Sequence, residues 1–203
     1  MNNKVLSQKI KEKANKEGFA VTAIASIPGS SRINLRTKAL ERWLGSNYHS
    51  EMKWMEYKER KNIELLLEGA KSVLCVGYNY FSGESLNNQD LKIARFSRGD
   101  DYHKVIKKKL KNIGEWINNE LPSCKWRICV DTSPLLEKAW AEESGLGWIG
   151  KNSTLINQTY GSWLLLGFMI LDKELIPDKP NKALCGQCEK CIEKCPTNAI
   201  TEP

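Results

Sequence analysis

The stretch Cys185-Gly186-Gln187-Cys188-Glu189-Lys190-Cys191-Ile192-Glu193-Lys194-Cys195-Pro196 decides the architecture of the C-terminal part of the chain. Its spacing, C-x2-C-x2-C-x3-C-P, is the bacterial ferredoxin pattern for thiolate ligation of a [4Fe–4S] cluster. Thiolates two residues apart fall on one side of a turn, and the proline after the last cysteine sends the chain away. Zinc knuckles usually separate two Cys/His pairs by a dozen or more residues, so Cys185, Cys188 and Cys191 suit zinc poorly. In two-cluster proteins the fourth cysteine of such a run serves the other cluster. Only eight residues follow Cys195, so the motif reads as the first half of a ferredoxin unit.

Working outward, the 203 residues suffice for one sizeable core and a small appendage. The composition, 41% hydrophobic and 27% charged, is that of a globular protein. No apolar run approaches the roughly 18 residues of a membrane span, and the N-terminus lacks a signal-peptide core. The chain therefore reads as cytoplasmic, with no membrane partner. Of its seven cysteines, Cys75 and Cys129 lie in apolar stretches and read as small buried hydrophobes. Cys124 sits in a loop, and a disulfide framework is not expected. Residues 1–130 carry 24 Lys+Arg against 14 Asp+Glu, a net +10, and residues 131–203 carry −3. The basic part is compatible with a nucleic-acid partner and equally with solvated helix faces.

Periodicity and turn chemistry predict helices over residues 5–18, 34–44, 101–121 and 135–144, with another starting near Met52. Strands are predicted over 19–25, 72–80, 126–130, 153–157 and 162–171. Residues 82–90 read as a mobile loop, 145–151 as a tight irregular loop and 175–184 as a linker. Helices interleave with strands, so the first 170 or so residues read as one α/β domain.

Three further stretches carry chemistry. In Val130-Asp131-Thr132-Ser133-Pro134-Leu135-Leu136-Glu137, Asp131 ends a strand just before a helix. A carboxylate there can donate a proton if burial raises its pKa, or it can simply cap the helix. Gly145-Leu146-Gly147-Trp148-Ile149-Gly150-Lys151-Asn152 follows a helix and precedes a strand, the wrong order for a dinucleotide-binding turn. Its glycines still allow backbone to approach a large ligand closely. In Arg95-Phe96-Ser97-Arg98-Gly99-Asp100-Asp101-Tyr102-His103-Lys104, Tyr102 and His103 could orient a polar ligand or shuttle protons, or merely begin a surface helix.

Taken in order, these stretches closely resemble the epoxyqueuosine reductase family. Gly161-Ser162-Trp163, the cysteine run and His49-Ser50-Glu51-Met52-Lys53-Trp54-Met55 join them in the likeness, which extends from about residue 45 onward. The resemblance implies an oxidoreductase of queuosine biosynthesis that reduces epoxyqueuosine to queuosine at the wobble position of tRNA. It implies an α/β (α+β) cobalamin-binding domain over residues 1–174 and a partial ferredoxin-like iron–sulfur domain over 175–203. The implied catalytic residues are Asp131, as proton donor, with Tyr102 and His103. Trp54, Arg98, Gly147, Lys151, Asn152 and Ser162 are implied for the cobalamin, and Cys185, Cys188, Cys191 and Cys195 for [4Fe–4S] clusters. The implied partners are the tRNA anticodon stem-loop and an electron donor such as flavodoxin or ferredoxin. Family members continue with a second cysteine group, so the chain is expected to be C-terminally truncated relative to them, and a missing C-terminal half could act in trans. The alternative is a non-catalytic form that binds cobalamin or a single cluster, or one half of a split reductase.

Overall fold

The computed structural model describes residues 2–81, 83 and 93–201. Most of the expected loop at 82–90 therefore lies outside the described residues. A four-stranded sheet forms the centre, in the order β1-β2-β6-β3. Its strands are β1 (Val21–Ser26), β2 (Ser72–Asn79), β3 (Trp126–Cys129) and β6 (Leu164–Leu171). Every ladder is antiparallel, with Cys75 opposite Phe168 and Cys129 also opposite Phe168 from the other side. The alternation of helices and strands thus yields an α+β arrangement rather than a parallel, doubly wound sheet.

Both faces of the sheet are covered, which explains why β2 reads as a continuous apolar run. On one face lie α1 (Asn3–Lys16) and α3 (Tyr102–Glu120), packing Leu6, Ile10, Ile106, Leu110, Ile113 and Ile117 against Leu74, Val76 and Met169. The four α3 side chains are fully buried, each contributing about 1.5–3 kcal/mol of transfer free energy. The fit is close: a Cβ on Gly167 would stand 2.6 Å from Ile106 Cγ2. On the other face, α4 (Glu137–Glu143) sets Trp140 and Ala141 over Val73, Cys75, Cys129, Phe168 and Ile170. Cys75 and Cys129 are buried hydrophobes, as expected.

Helix α2 (Ser31–Gly45) opens on Ser30, whose hydroxyl accepts from Arg32 N–H. It is tied to α4 by buried acids. Ser30 donates through its backbone N–H and its hydroxyl to Glu143, each at 2.7 Å, and Arg36 holds Glu142 at 2.8 Å. Glu142 also accepts from Ile149 N–H at 3.1 Å, which anchors β4 (Trp148–Ile149) and, through it, the paired β5 (Leu155–Ile156).

Three local expectations differ from the structure. The helix expected from Met52 is a series of 3-10 turns over Lys53–Glu56, Lys58–Arg60 and Ile63–Leu65. Trp54 and Tyr57 are half exposed, so this stretch has no apolar face to sustain a long helix. Helix α4 starts at Glu137 instead of Leu135, because residues 131–136 form a folded-back loop in which Leu135 N–H donates to Ser133 O. The strands expected at 153–157 and 162–171 shorten to β5 and β6, and the glycine loop contains β4.

The segment expected as a linker begins as a strap on the sheet edge. Leu175 is buried and its N–H donates to Ser72 Oγ, while Asp178 accepts from Ile24 N–H and pairs with Lys11 at 2.8 Å. This covers the exposed edge of β1. Gly145, at φ 81°, ends α4 and lets the Lys179 carbonyl pack where a side chain would stand. Beyond it come the cysteines and the four-residue α5 (Lys190–Glu193). Among the described residues no helix is long and apolar enough to cross a membrane.

Candidate active site and iron–sulfur segment

The sheet loses its cover at one end. Along β6, Leu164, Leu165 and Leu166 are partly exposed, whereas the five residues after them are buried. The same end of β2, at Tyr78 and Asn79, is also partly exposed. A cleft of about 490 Å³ opens there. Leu135, Leu136, Ile149, Leu164 and Leu166 line it with apolar surface, and Arg36, Arg60, Tyr102, Asp131, Glu137 and Ser162 with polar groups.

Asp131 stands at the lip, just past β3, with φ 52°. This left-handed conformation is uncommon for a residue with a side chain, and aspartate is one of the types that tolerate it. Its carboxylate meets the start of α3: His103 Nε2 lies 3.1 Å from Asp131 Oδ2, and His103 Nδ1 lies 2.8 Å from Asp101 Oδ1. Asp101 is the N-cap of α3 and accepts from the His103 backbone N–H as well. Carboxylates only accept, so both contacts are satisfied together only when both ring nitrogens carry protons. The hydrogen bond to Asp131, followed by that to Asp101, accordingly raises the His103 pKa above its ordinary value. In return, the His103 ring holds the Asp101 carboxyl below the usual carboxylate range. Tyr102 stacks on the His103 ring at 4.0 Å, and burial followed by the nearby carboxylates raises its phenol pKa.

Glu137, at the start of α4, accepts from Asp131 N–H at 2.7 Å. Burial pushes its carboxyl up to about 7. Arg60 completes the cluster. Its guanidinium donates to the Leu135 and Trp54 carbonyls, and burial lowers its pKa, against the opposing pull of Glu137 and Asp131.

Of the residues singled out by sequence, the structure gathers Asp131, Tyr102 and Ser162 on the cleft, with His103 bonded to Asp131. Trp54 reaches the site only through its carbonyl on Arg60, and its ring is half exposed. Arg98 is exposed and donates to Ile93 O. Gly147 sits where a Cβ would strike the Ile156 carbonyl, so it serves the β4–β5 hairpin. Asn152 accepts from Thr154 N–H in a local turn, and neither it nor Lys151 is among the residues that line the cleft. Sequence reasoning missed Glu137, Arg60, Arg36 and Asp101 as cleft residues or their supports. Glu137 carried no mark of this in the sequence, because its partner is a backbone amide.

The four cysteines form a separate region. Cys185 accepts from Trp148 Nε1–H at 3.3 Å, and Cys195 accepts from Ala199 N–H at 3.3 Å. Hydrogen bonds around Cys195, those from Thr197 first, lower its thiol to about 7. Thiolates with N–H donors on sulfur fit an iron–sulfur cluster chemically. Among the described residues, no three His, Cys, Asp or Glu side chains converge as a ready metal-binding group. The cleft likewise has the mixed lining of a ligand site, with Leu164, Leu166, Leu135 and Ile149 beside a few polar groups.

Residues 60–132 match the family model described as epoxyqueuosine reductase QueG, DUF1730, and residues 179–201 match a 4Fe-4S binding domain. The chain is 54% identical over 198 residues to an epoxyqueuosine reductase of Prochlorococcus marinus (strain NATL2A), covering 98% of this chain and 64% of the relative. It is 50% identical over 198 residues to that of Synechococcus sp. (strain CC9605), covering 98% of this chain and 62% of the relative. Among solved structures, it superposes on the epoxyqueuosine reductase of Streptococcus thermophilus with a TM-score of 0.82 at 27% identity, over 95% of this chain and 53% of that one. An epoxyqueuosine reductase with an epoxyqueuosine-modified tRNA-Tyr stem loop gives 0.83 at 27% identity, over 98% of this chain and 54% of that one. A reductive dehalogenase, at 11% identity and a TM-score of 0.55, shares the fold. The chain thus spans a little under two thirds of the length of the curated relatives it matches. By sequence and by fold, the chain is similar to the epoxyqueuosine reductases over nearly its whole length.

Proposed function

We propose that this chain carries the reducing site for epoxyqueuosine in the tRNA anticodon loop, with cobalamin in the cleft and a [4Fe–4S] cluster on the cysteine segment. The observation that carries the reading is the Asp131–His103 pair on a cleft that joins leucine surface to a few polar groups. Removing an epoxide oxygen as water takes two electrons and two protons. Cobalamin, when bound, supplies low-potential electron chemistry at the reacting carbon, refilled from iron–sulfur clusters.

The chain's own residues supply the rest. Leu164, Leu166, Leu135 and Ile149, with Ser162 and Thr154, are the lining residues that would hold the cobalamin. Asp131 Oδ2 and His103 Nε2, 3.1 Å apart, form the hydrogen-bonded pair through which a proton would reach the departing oxygen. Asp101 locks the imidazole on its far side, so the proton is presented toward Asp131. Tyr102 stacks on the His103 ring and steadies it. Cys185, Cys188, Cys191 and Cys195 would ligate iron. The stem-loop of a tRNA is the substrate and an external reductant such as flavodoxin or ferredoxin the electron source, in the cytoplasm.

The test is anaerobic reconstitution with iron, sulfide and cobalamin, followed by incubation with a reductant and an epoxyqueuosine-bearing stem-loop. Mass spectrometry of the RNA should show queuosine, and omitting cobalamin should abolish it. Equal conversion without cobalamin would remove the cofactor from the reading.

A further inference from the structure

The loop from Asp131 to Glu137 closes on itself. Asp131 has left-handed backbone, and its N–H is taken by the Glu137 side chain at 2.7 Å. Helix α4 has no side-chain cap from its N-cap residue, Leu136, so Glu137 turns back toward the loop in front of its own helix. Arg60 pins the same loop from outside, through the Leu135 carbonyl at 3.0 Å. Glu137 also lines the cleft, so one carboxyl both accepts the Asp131 N–H and faces the site.

We propose that Glu137 is a positioning residue that, through the Asp131 amide, keeps the Asp131 carboxylate on His103 and the pair aimed into the cleft. The inference rests on the reading of Asp131 as the proton-delivering group. Released from Glu137, Asp131 would relax toward an ordinary backbone conformation and swing its carboxylate off the imidazole. Asp101 would still hold His103 Nδ1, so the ring would stay while losing its second acceptor. A burial-raised pKa of about 7 lets Glu137 be neutral or charged near neutral pH, and either form can accept the Asp131 N–H.

The test needs no turnover. The chain has two histidines, His49 and His103, so ring resonances can be followed by NMR across pH in the full 203-residue chain. The groups facing His103 are Asp101, Tyr102 and Asp131, with Lys104 acting on Asp101 and Glu137 and Arg60 behind Asp131. In Glu137→Ala the His103 midpoint should fall by about one pH unit, as expected for loss of one close carboxylate partner. In Glu137→Gln, which keeps the acceptor and loses the charge, it should stay within about 0.3 of the parent. The His49 ring, packed on Trp43, reports whether the fold persists. An unchanged midpoint in Glu137→Ala, or equal falls in both variants, would overturn the proposal. Equal falls would mean that charge, not position, is the cause. If Glu137→Ala fails to fold, hydrogen exchange in the parent decides. The Asp131 amide should exchange at least about tenfold slower than an open chain, and an unprotected amide rejects the bond. Failure here leaves the catalytic reading of Asp131 intact, because that reading is measured separately through queuosine formation.

Discussion

The cleft and the cysteine segment reach function by opposite routes. At the cleft no short motif specifies chemistry, yet the fold brings Asp131, His103, Asp101, Glu137 and Arg60 together from four parts of the chain. In the cysteine segment the spacing alone names the chemistry, yet among the described residues the fold does not gather the sulfurs into a group. A packed domain can hold polar groups in place because buried helices fix their backbones. A short exposed segment, with one four-residue helix, depends on the metal itself for order.

The largest effect should come from separating the two regions. Replacing Cys185, Cys188 and Cys191 with serine should abolish iron and sulfide uptake while leaving the urea midpoint of the sheet domain within about 0.5 kcal/mol of the parent. A joint loss of iron and domain stability would show that the segment is part of the core. The converse substitution is Ile113→Ala, on the buried face of α3. It should cost about 2–5 kcal/mol in urea unfolding without changing iron per folded chain. Next comes Glu142→Ala, which frees Arg36 and the Ile149 amide. It should cost about 1–3 kcal/mol, because a part-buried donor loses its acceptor. A neutral result would mean that β4 holds the cleft wall without this contact.

The smallest effect is a pH slope. Glu137 has a folded pKa raised from 4.5 to about 7, so between those values the folded state binds more protons than the unfolded state. Stability should therefore be greatest below pH 4.5, as far as this group is concerned, and decline as pH rises toward about 7. His103, also raised, acts in the same direction: its contribution is full below its unfolded value and is lost as pH rises through its folded pKa. Urea midpoints across this window should fall less steeply in Glu137→Gln. An unchanged slope would place the proton elsewhere.

Much of this was legible in the sequence, for identifiable reasons. The α3 period and the apolar runs of β2 and β6 come from burial on covered faces, which periodicity reads directly. Asp131 stood out at a strand end, and the cysteines by spacing. The antiparallel pairing did not show, because strand direction is set by which edges meet, not by local pattern. Glu137 was hidden because its partner is a backbone amide, and no residue type marks an amide bent back by a positive φ. Gly147 and Asn152, implied for the cobalamin, also take part in hairpin and turn geometry, which spacing alone does not reveal.

The most direct measurement compares queuosine formation by the parent chain and Asp131→Asn, loaded to equal iron and cobalamin content. Removing the proton-delivering carboxyl should slow conversion by about 10²–10⁴-fold with cofactor content unchanged. Equal rates in the two proteins would be incompatible with a reducing site built around Asp131.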